Sequence, residues 1–326
     1  MGWKILLSGR GWESQRNRIL IKDEKHVMDE ADYIGINKQE EYHICLVCSQ
    51  TNNKPKYPLI FWEIVSLLFH SFSALDIACT FKVNQLEKKK TNIILGNIIT
   101  NSDLLEHLTD IKYILYQFEQ LSDIEGWYGK FPLFRSIIHN ASEIWDYSVN
   151  NIKFLQNKNM RAKLLPLGYN KNLENIINNV GKDIDILFYG STNERRLQIL
   201  HELEIRGLRV KLLSEIYGRE RDQYIARAKI VLNIHYFDMA IFESARIHYL
   251  LNNKVFVITE QSVDNPYPKV DLVNVPYEQL VDECIKRLAD WENTRKLAEL
   301  NYEQFKKYYP MTGFLRGIIP DTEVKR

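Results

Sequence analysis

The sequence predicts an α/β fold made of two doubly wound parallel-sheet domains. Its 326 residues are about twice the length of a common domain. Short, nearly continuous apolar runs alternate with helical patterns, which is typical of parallel sheets covered on both faces. A polar, Asn-rich stretch follows LLPLGYN at residues 164–170 and separates two such series. We therefore expect domains at 1–166 and 183–300, a linker at 167–182 and a tail at 301–326.

The first domain is predicted from six apolar runs with helical patterns between them. The expected strands are Lys4–Ser8, His43–Cys48, Asn92–Leu95, Tyr113–Gln117, Glu143–Tyr147 and Lys163–Leu165. The expected helices are Leu59–Phe72, Asp103–Leu108, Leu133–Asn140 and Asn151–Asn157. The charged, weakly periodic segment Trp12–Glu41 is expected to be an irregular or partly helical insertion.

The second domain shows a clearer alternation of strands and helices. The expected strands are the run DILFYGS at 185–191, Arg209–Leu213, Ile230–His235, Val255–Thr259 and Asp271–Val275. The expected helices are Asn193–Arg206, Arg219–Lys229, Ile241–Asn252, Tyr277–Trp291 and Thr294–Tyr308. Repeated units of this kind need right-handed crossovers, and such sheets bind ligands at the carboxyl ends of their strands. Two domains joined by a polar linker are expected to face each other across a cleft.

Composition and charge exclude several classes of protein. Hydrophobic residues make up 45% and charged residues 26%, as in ordinary globular proteins. Lys and Arg number 43 and Asp and Glu 42, so nothing indicates a dedicated nucleic-acid binder. The longest apolar region, Pro58–Phe81, is interrupted by charged residues and predicts a buried helix and its flank, with no membrane span. The opening MGWKILLSGRGW lacks the features of a signal peptide, so we expect a cytoplasmic protein.

The four cysteines predict reduced, buried thiols. Cys45 and Cys48 form an isolated C-x-x-C pair, and no second pair follows at the spacing of a zinc site. A reducing compartment fits this usage.

A glycine turn after the first strand of the second domain is a candidate phosphate site. Gly190 ends the strand and lets backbone N–H groups approach an anion, and Ser191 adds a hydroxyl or caps the next helix. Arg195 and Arg196 follow in the first helical turn, where cations oppose the helix dipole unless an anion is bound. The alternative is a capped turn with solvated arginines.

A second candidate group follows the strand VLNIH. Asn233 and His235 end this strand, Glu243 stands near the start of the next helix, and Arg246 lies one turn further on the same face. The alternative is that Glu243 caps its helix and pairs with Arg246.

In these features the second domain resembles the donor-binding domain of a GT-B glycosyltransferase of the retaining, GT-4-like group. In that group two glutamates lie eight positions apart, and the second contacts the ribose hydroxyls of a nucleotide-sugar. Glu243 and the following SARIHYLLNNKVFVITE match that second glutamate, whereas His235 occupies the first position. The resemblance makes Gly190, Ser191, Arg195, Asn233, Phe242, Glu243 and Arg246 candidate donor-binding residues. It also implies two Rossmann-like domains and a tail that crosses back onto the first.

The same resemblance assigns the acceptor to the first domain. Gly9 and Arg10 follow the first expected strand and are candidate acceptor-binding residues. Glu119, at the end of another strand, is a candidate catalytic residue together with His235. Metal-free enzymes of this shape stabilise the leaving diphosphate with cationic side chains and helix N-termini. The Asp-x-Asp motif that is usual in the metal-dependent GT-A class is not expected here. We therefore expect no metal and no cofactor besides the nucleotide-sugar.

The expected function is therefore the transfer of a sugar from a nucleotide-sugar to an acceptor, by a metal-independent hexosyltransferase that retains configuration. A glycan, a lipid-linked sugar, a protein or a nucleic acid could be the acceptor. Two alternatives are a non-catalytic nucleotide-sugar-binding or interaction protein and a GT-B-fold sugar-nucleotide epimerase or phosphorylase.

Overall fold

Two parallel β-sheets with helices on both faces make up the computed structural model of the chain. The structure describes residues 42–48, 50–51, 54–55, 61–96, 104, 106–124, 126–177, 180–238 and 240–319. The expected strand Lys4–Ser8, the insertion Trp12–Glu41 and the candidate residues Gly9 and Arg10 lie outside these ranges. We call residues 42–164 the N-terminal half and residues 184–308 the C-terminal half.

The N-terminal half holds a six-stranded sheet in the order β4-β1-β5-β6-β7-β8, in which every pair is parallel. Its strands, with a small antiparallel pair β2-β3, are β1 Tyr42–Val47, β2 Gln50–Thr51, β3 Lys54–Pro55, β4 Cys79–Val83, β5 Thr91–Gly96, β6 Tyr113–Gln117, β7 Glu143–Asp146 and β8 Ala162–Leu164. Its helices are α1 Trp62–Ala74, α2 Trp127–Lys130, α3 Pro132–Asn140 and α4 Val149–Asn157, with a 3-10 turn at Leu108–Asp110.

The C-terminal half holds a five-stranded parallel sheet in the order β10-β9-β11-β12-β13. Its strands are β9 Ile184–Tyr189, β10 Val210–Leu213, β11 Ala228–Asn233, β12 Val257–Glu260 and β13 Val273–Val275. Its helices are α5 Glu194–Ile205, α6 Gly218–Arg227, α7 Ser244–Asn252, α8 Leu280–Ala289 and α9 Trp291–Tyr308. Short 3-10 turns lie at Lys171–Leu173 and Tyr277–Gln279.

Each sheet separates two apolar layers, because successive side chains of a strand point to opposite faces. In β1, Ile44 and Leu46 join one core cluster, whereas Cys45 and Val47 join the other. In β9, Leu187 faces one layer, and its neighbours Ile186 and Phe188 face the opposite one. These strands are buried on both faces, which explains why they are nearly continuous apolar runs in the sequence.

The end of the described chain packs on the N-terminal half. Helix α10, Met311–Ile318, lies against α1, and Met311, Leu315 and Ile319 belong to that half's core. The crossing is tight at Gly168, where an added Cβ would stand 2.6 Å from the carbonyl oxygen of Tyr309. A glycine is therefore required where the linker and the returning chain pass each other.

A buried ion pair also joins the two halves. An Nη of Arg221, in α6, donates to Glu63 Oε1 of α1 at 2.6 Å, and Arg221 also pairs with Asp222 at 2.8 Å. The hydroxyl of Tyr249 donates to the other oxygen of Asp222 at 2.7 Å. Arg221 is 6% exposed and Glu63 is 8% exposed, so water screens their attraction little.

The predicted fold class, two doubly wound α/β sheets, is confirmed. Three strands were not expected: the short pair β2 and β3, and β4, which occupies the end of the apolar region that we assigned to a helix and its flank. Residues 39–326 form one compact unit, so the domain boundaries remain a prediction from the sequence.

The thiol prediction is confirmed as well. All four cysteines are free and buried, and burial raises the pKa of both Cys45 and Cys48 to about 12. No helix among the described residues has the length and apolar character needed to span a bilayer.

Candidate functional site

The carboxyl edge of the C-terminal sheet gathers most of the residues predicted from the sequence. Strands β9, β11 and β12 end side by side at Tyr189, Asn233 and Glu260. Hydrogen bonds link the side chains that follow these strands into one polar cluster, which contains Asn233, His235 and Glu243. The parallel topology is what brings these distant residues together.

The carboxylate of Glu243 is the centre of this cluster. Its Oε1 accepts from an Nη of Arg196 at 3.2 Å, and its Oε2 accepts from Asn233 Nδ2 and contacts His235 Nδ1 at 3.1 Å. Glu243 precedes the first residue of α7, but its side chain makes no capping hydrogen bond, so the capping alternative does not hold. About four acceptor positions exist on a carboxylate and three are taken, which leaves roughly one for a ligand. The side chain is 26% exposed.

Glu243 and His235 shift each other's pKa toward the charged forms. Burial alone would raise the pKa of Glu243, but the hydrogen bond to His235 and the charge of Arg246 hold it below its ordinary value. Burial would lower the pKa of His235, yet the hydrogen bond and charge of Glu243 raise it. The ring of His235 is fully buried, and its Nε2 contacts Ser262 Oγ at 3.1 Å. Both ring nitrogens therefore have protein partners, and neither is open to a substrate.

Arg246 lies beneath the glycine turn. One Nη donates to Asn233 Oδ1, the other donates to the carbonyl of Tyr189 at 2.9 Å, and Nε is buried without a described partner. Gly190 makes this approach feasible: a Cβ there would stand 2.9 Å from an Nη of Arg246. The φ of Gly190 is +126°, a conformation that only glycine adopts readily.

Arg195 occupies a different environment from the one that we expected for a phosphate ligand. Its guanidinium forms a two-pronged ion pair with Glu260 and also donates to Asp238 at 2.7 Å. It stacks 3.9 Å from the ring centroid of Tyr277. Its charge is therefore already compensated by two carboxylates.

The neighbouring Arg196 is the arginine that reaches the cluster, and sequence reasoning did not select it. It is 5% exposed and donates to the carbonyls of Ile234 and Ser191 as well as to Glu243. Burial, followed by the charge of Arg246, lowers its pKa to about 10. Arginine side chains at successive helix positions point in different directions, and the sequence alone did not indicate which one faces the sheet edge.

The start of α5 presents backbone N–H groups at this edge. Its cap is Asn193, whose side chain accepts from the N–H of Arg196 at 3.0 Å; neither Ser191 nor Thr192 caps the helix. Ser191 is exposed, and within the described residues the N–H groups of Ser191 and Thr192 have no acceptor. A helix N-terminus with free N–H groups attracts anions.

The side chain of Phe242 packs in the hydrophobic core of the C-terminal half. Its ring is 1% exposed and packs edge-on against Tyr267 at 5.6 Å. Its polar contacts are made by the backbone: the N–H donates to Asp264 Oδ1 at 2.9 Å, and the carbonyl accepts from the N–H of Ser244 at 2.9 Å. The ring thus offers no surface to a donor.

In the N-terminal half, Glu119 follows β6 at the carboxyl edge of that sheet. Among the described residues its carboxylate has no hydrogen-bonding or ion-pair partner, and burial raises its pKa to about 7. It lines a small pocket together with Phe61, Gly96, Leu115, Tyr116, Gln117, Phe118, Trp127 and Phe134. Most of this lining is apolar, which accounts for the weak acidity of the carboxyl group.

Sequence reasoning missed two polar residues beside this site. Asp146 is fully buried at the end of β7, and burial raises its pKa to about 8. Ser148 donates from its hydroxyl to Asp264 Oδ2 of the C-terminal half at 2.6 Å. The polar letters D-Y-S directly after an apolar strand were the signal, because strand ends are where ligand sites form.

The expectation that the sequence has no Asp-x-Asp motif is wrong, because Asp183 and Asp185 form one. The structure places it at the start of β9, where Asp185 pairs with Arg209 and Lys229. Within the described residues, no three His, Cys, Asp or Glu side chains are grouped as metal ligands.

Comparisons with known proteins agree with this architecture. No protein family profile matches the sequence. Two uncharacterized proteins of Acanthamoeba polyphaga mimivirus are 27% identical over 281 residues and 29% identical over 174 residues. These matches cover 80% and 50% of this chain but only 29% and 23% of the relatives, so the chain spans less than a third of either one.

Solved structures are similar over nearly the whole chain. Anabaena HepE in complex with UDP-glucose has a TM-score of 0.56 at 12% identity, covering 85% of this chain and 98% of HepE. The DNA modifying enzyme β-glucosyltransferase, studied with and without its substrate uridine diphosphoglucose, has a TM-score of 0.58 at 9% identity, with the same coverage. The chain therefore has the GT-B fold of glycosyltransferases, and the predicted fold is confirmed.

Proposed function

We propose that this chain is a glycosyltransferase that moves a hexose from a UDP-sugar to an acceptor held by the N-terminal half. The observation that carries the proposal is the carboxylate of Glu243, fixed by Arg196, Asn233 and His235 at the ligand-binding edge of a GT-B fold. The donor class is supported by HepE and β-glucosyltransferase, which are described with UDP-glucose.

The donor ribose is assigned to Glu243. Its remaining acceptor position fits one ribose hydroxyl, and a second hydroxyl would have to displace one existing donor. His235 is a positioning residue in this scheme, since it keeps Glu243 ionised and oriented and has no open nitrogen of its own. This differs from the expectation that His235 itself reacts.

The diphosphate is assigned to the start of α5. Free N–H groups at Ser191 and Thr192 and the positive end of a twelve-residue helix favour an anion there. Arg246 lies below the turn, where its positive charge favours an anion and its Nη groups are held by Asn233 and the carbonyl of Tyr189. We propose that these groups stabilise the departing diphosphate without a metal or other cofactor. Turnover that is the same in EDTA as in Mg²⁺ would support this; dependence on a divalent ion would contradict it.

Glu119 is proposed as the residue that accepts the proton of the acceptor hydroxyl. A carboxyl group with a pKa of about 7 is suited to take up a proton near neutral pH. We expect kcat/KM to rise with pH through an apparent pKa near 7, and Glu119→Gln to abolish that rise. A retained anomeric configuration in the product, read by NMR, is the stereochemical part of the proposal.

Donor binding and donor cleavage test the function directly. Calorimetry and thermal denaturation with UDP-glucose should show binding, and a ligand at a hundred times its Kd adds about 2.7 kcal/mol of stability. Slow release of glucose from UDP-glucose without acceptor would identify an enzyme. Binding without release would instead favour a binding protein, and the absence of binding by any nucleotide-sugar would refute both.

A further inference from the structure

A continuous hydrogen-bonded chain connects the two carboxyl edges of the molecule. On the N-terminal side, Asn151 Nδ2 donates both to the backbone carbonyl of Glu119, at 2.9 Å, and to Asp146 Oδ1, at 3.3 Å. Gln117 Nε2 makes the same pair of contacts, to Glu119 O at 2.9 Å and to Asp146 Oδ2. The loop that carries Glu119 is therefore tied to Asp146 twice.

The chain continues from Asp146 into the other half. The N–H of Ser148 donates to Asp146 Oδ1 at 2.8 Å, and the Ser148 hydroxyl donates to Asp264 Oδ2 at 2.6 Å. The other oxygen of Asp264 accepts from the N–H of Phe242 at 2.9 Å, one residue before Glu243. Asp264 thus receives one hydrogen bond from each half.

Carboxylates of both sheet edges act on one shared neighbour. Burial raises the pKa of the Tyr147 hydroxyl well above its ordinary value, and so do four carboxylates, two from each half: Asp146, Glu119, Asp264 and Glu243. The Tyr147 hydroxyl is therefore affected by the charges of the groups that we assign to the acceptor and to the donor.

We propose that the Ser148–Asp264 hydrogen bond is a latch that sets the register between the loop of Glu119 and the start of the Glu243 helix. Asp264 and Ser148 are then positioning residues for sugar transfer, an inference that rests on the proposed function. A charge-assisted bond between partly buried groups is short and directional, so it can fix one relative placement of the two edges. It is also a single contact, so its loss should loosen the register without unfolding either sheet.

Distance measurements test the latch independently of any donor. Leu133→Cys and Ile205→Cys place spin labels at exposed positions on opposite halves, and the four native cysteines are buried. In the full chain, Asp264→Ala and Ser148→Ala should each broaden the distance distribution between the labels. Ser148→Ala also removes the cap of α4, whereas Asp264→Ala does not, so an effect common to both belongs to the shared bond.

Ser71→Ala is the matched control. It removes another buried serine hydroxyl that bonds across segments, to Asn170 Nδ2 of the linker at 2.8 Å, and it does not contact the latch. We expect it to leave the distribution narrow. Unchanged distances in both latch variants, or equal broadening by Ser71→Ala, would overturn the proposal.

Turnover of UDP-glucose tests the consequence for chemistry. Both latch variants should lower kcat about tenfold or more, because a misplacement of ~1 Å between reacting groups can cost on the order of a hundredfold. Calorimetric affinity of Ser148→Ala for UDP should stay unchanged, since the proposed donor contacts all lie in the C-terminal half and Ser148 does not. Parallel losses of affinity and kcat would contradict a positioning role. If the native chain binds no nucleotide-sugar, the proposed function fails. The distance measurements alone then test whether the Ser148–Asp264 hydrogen bond acts as a latch.

Discussion

Glu243 has a structural role in the interior and also remains partly exposed to a ligand. Its carboxylate neutralises the buried Arg196 and holds His235, yet it stays 26% exposed at the ligand-binding edge. A residue of this kind contributes both to folding and to binding, so stability alone cannot separate its roles. A variant that lacks a buried carboxylate far from the site therefore serves as the control for the effect on stability.

Glu243→Gln should weaken UDP-glucose binding roughly tenfold or more, because a hydrogen bond to a charged group contributes ~1.5–3 kcal/mol. Its melting temperature should also fall, since Arg196 loses its counter-charge. Asp185→Asn removes a buried carboxylate paired with Arg209 and Lys229 at the far end of β9, and should cost stability alone. Calorimetry and melting curves of both proteins test this; equal donor affinity in the two variants would exclude Glu243 from the donor site.

The His235–Glu243 pair should make stability depend on pH in a defined direction. The folded pKa of His235 is raised above 6.5, so its contribution is complete below that pH and is lost as pH rises through the folded pKa. The folded pKa of Glu243 is lowered below 4.5, so its contribution is present above that pH and is lost as pH falls. The pair therefore stabilises most between about pH 4.5 and 6.5.

His235→Asn should accordingly lower the melting temperature more at pH 6 than at pH 9, when each value is compared with the native chain at the same pH. His201→Asn is the control, because the His201 side chain is 73% exposed and its substitution should have little effect at either pH. If His235→Asn lowers the melting temperature by the same amount at pH 6 and at pH 9, then His235 acts through packing and not through its charge.

At the scale of elements, the turn from β9 to α5 depends on one glycine. Gly190 has a φ of +126° and leaves room for Arg246 to reach the carbonyl of Tyr189. Gly207, at the other end of α5, also has a positive φ, +81°, but an added Cβ there would meet nothing within 4 Å. Substitutions at these two glycines therefore distinguish the effect of backbone strain from the effect of displacing Arg246.

Gly190→Ala and Gly207→Ala should each cost about 1–3 kcal/mol of unfolding free energy through backbone strain. Only Gly190→Ala should also weaken binding of UDP, because it displaces Arg246 from beneath the turn. Urea denaturation and calorimetry on both variants measure the two effects. Equal UDP affinities would mean that the position of Arg246 does not matter to the donor.

The elements were predictable wherever the sequence pattern is local. Strand β6 was placed at Tyr113–Gln117, as observed, because apolar residues fill it and polar residues bound it. Strand β4 was missed because its pattern, CTFKV, continues an apolar region and only its pairing with β1 identifies it as a strand. The helix predicted at Ile241–Asn252 begins later, at Ser244, since the chain first turns to bring Glu243 to the sheet edge.

The positions of the candidate site residues could be predicted from the sequence, but their hydrogen-bond and ion-pair partners could not. Sequence order located Asn233, His235 and Glu243 at one strand end, and the structure joins them by hydrogen bonds. Which of two adjacent arginines faces Glu243 depends on the rotation of α5 against the sheet. The contact of Ser148 with Asp264 joins residues 116 positions apart in different sheets, and no local pattern encodes such a pairing.

At the scale of the whole molecule, the Glu63–Arg221 pair is the buried ionic contact between the halves whose loss should be most costly. Removing one partner of a buried pair leaves the other charge uncompensated and costs ~3–5 kcal/mol. Glu63→Gln should fall at the lower end of that range, because Asp222 still pairs with Arg221. Asp183→Asn, which breaks the solvent-exposed pair with Arg227, should cost far less stability than Glu63→Gln. Urea unfolding of both variants tests the ranking, and similar losses would contradict it.

The return of α10 to the N-terminal half has a consequence for the order in which the chain can fold during synthesis. Met311, Leu315 and Ile319 complete a core whose other members begin at Tyr42, yet a ribosome makes them on the order of ten seconds after helix α1, which they cover. Until then the apolar face of α1 that they cover lacks its partner helix. The C-terminal sheet, by contrast, has all its strands and its covering helices by Tyr308. The half that is translated first is therefore the half that is finished last.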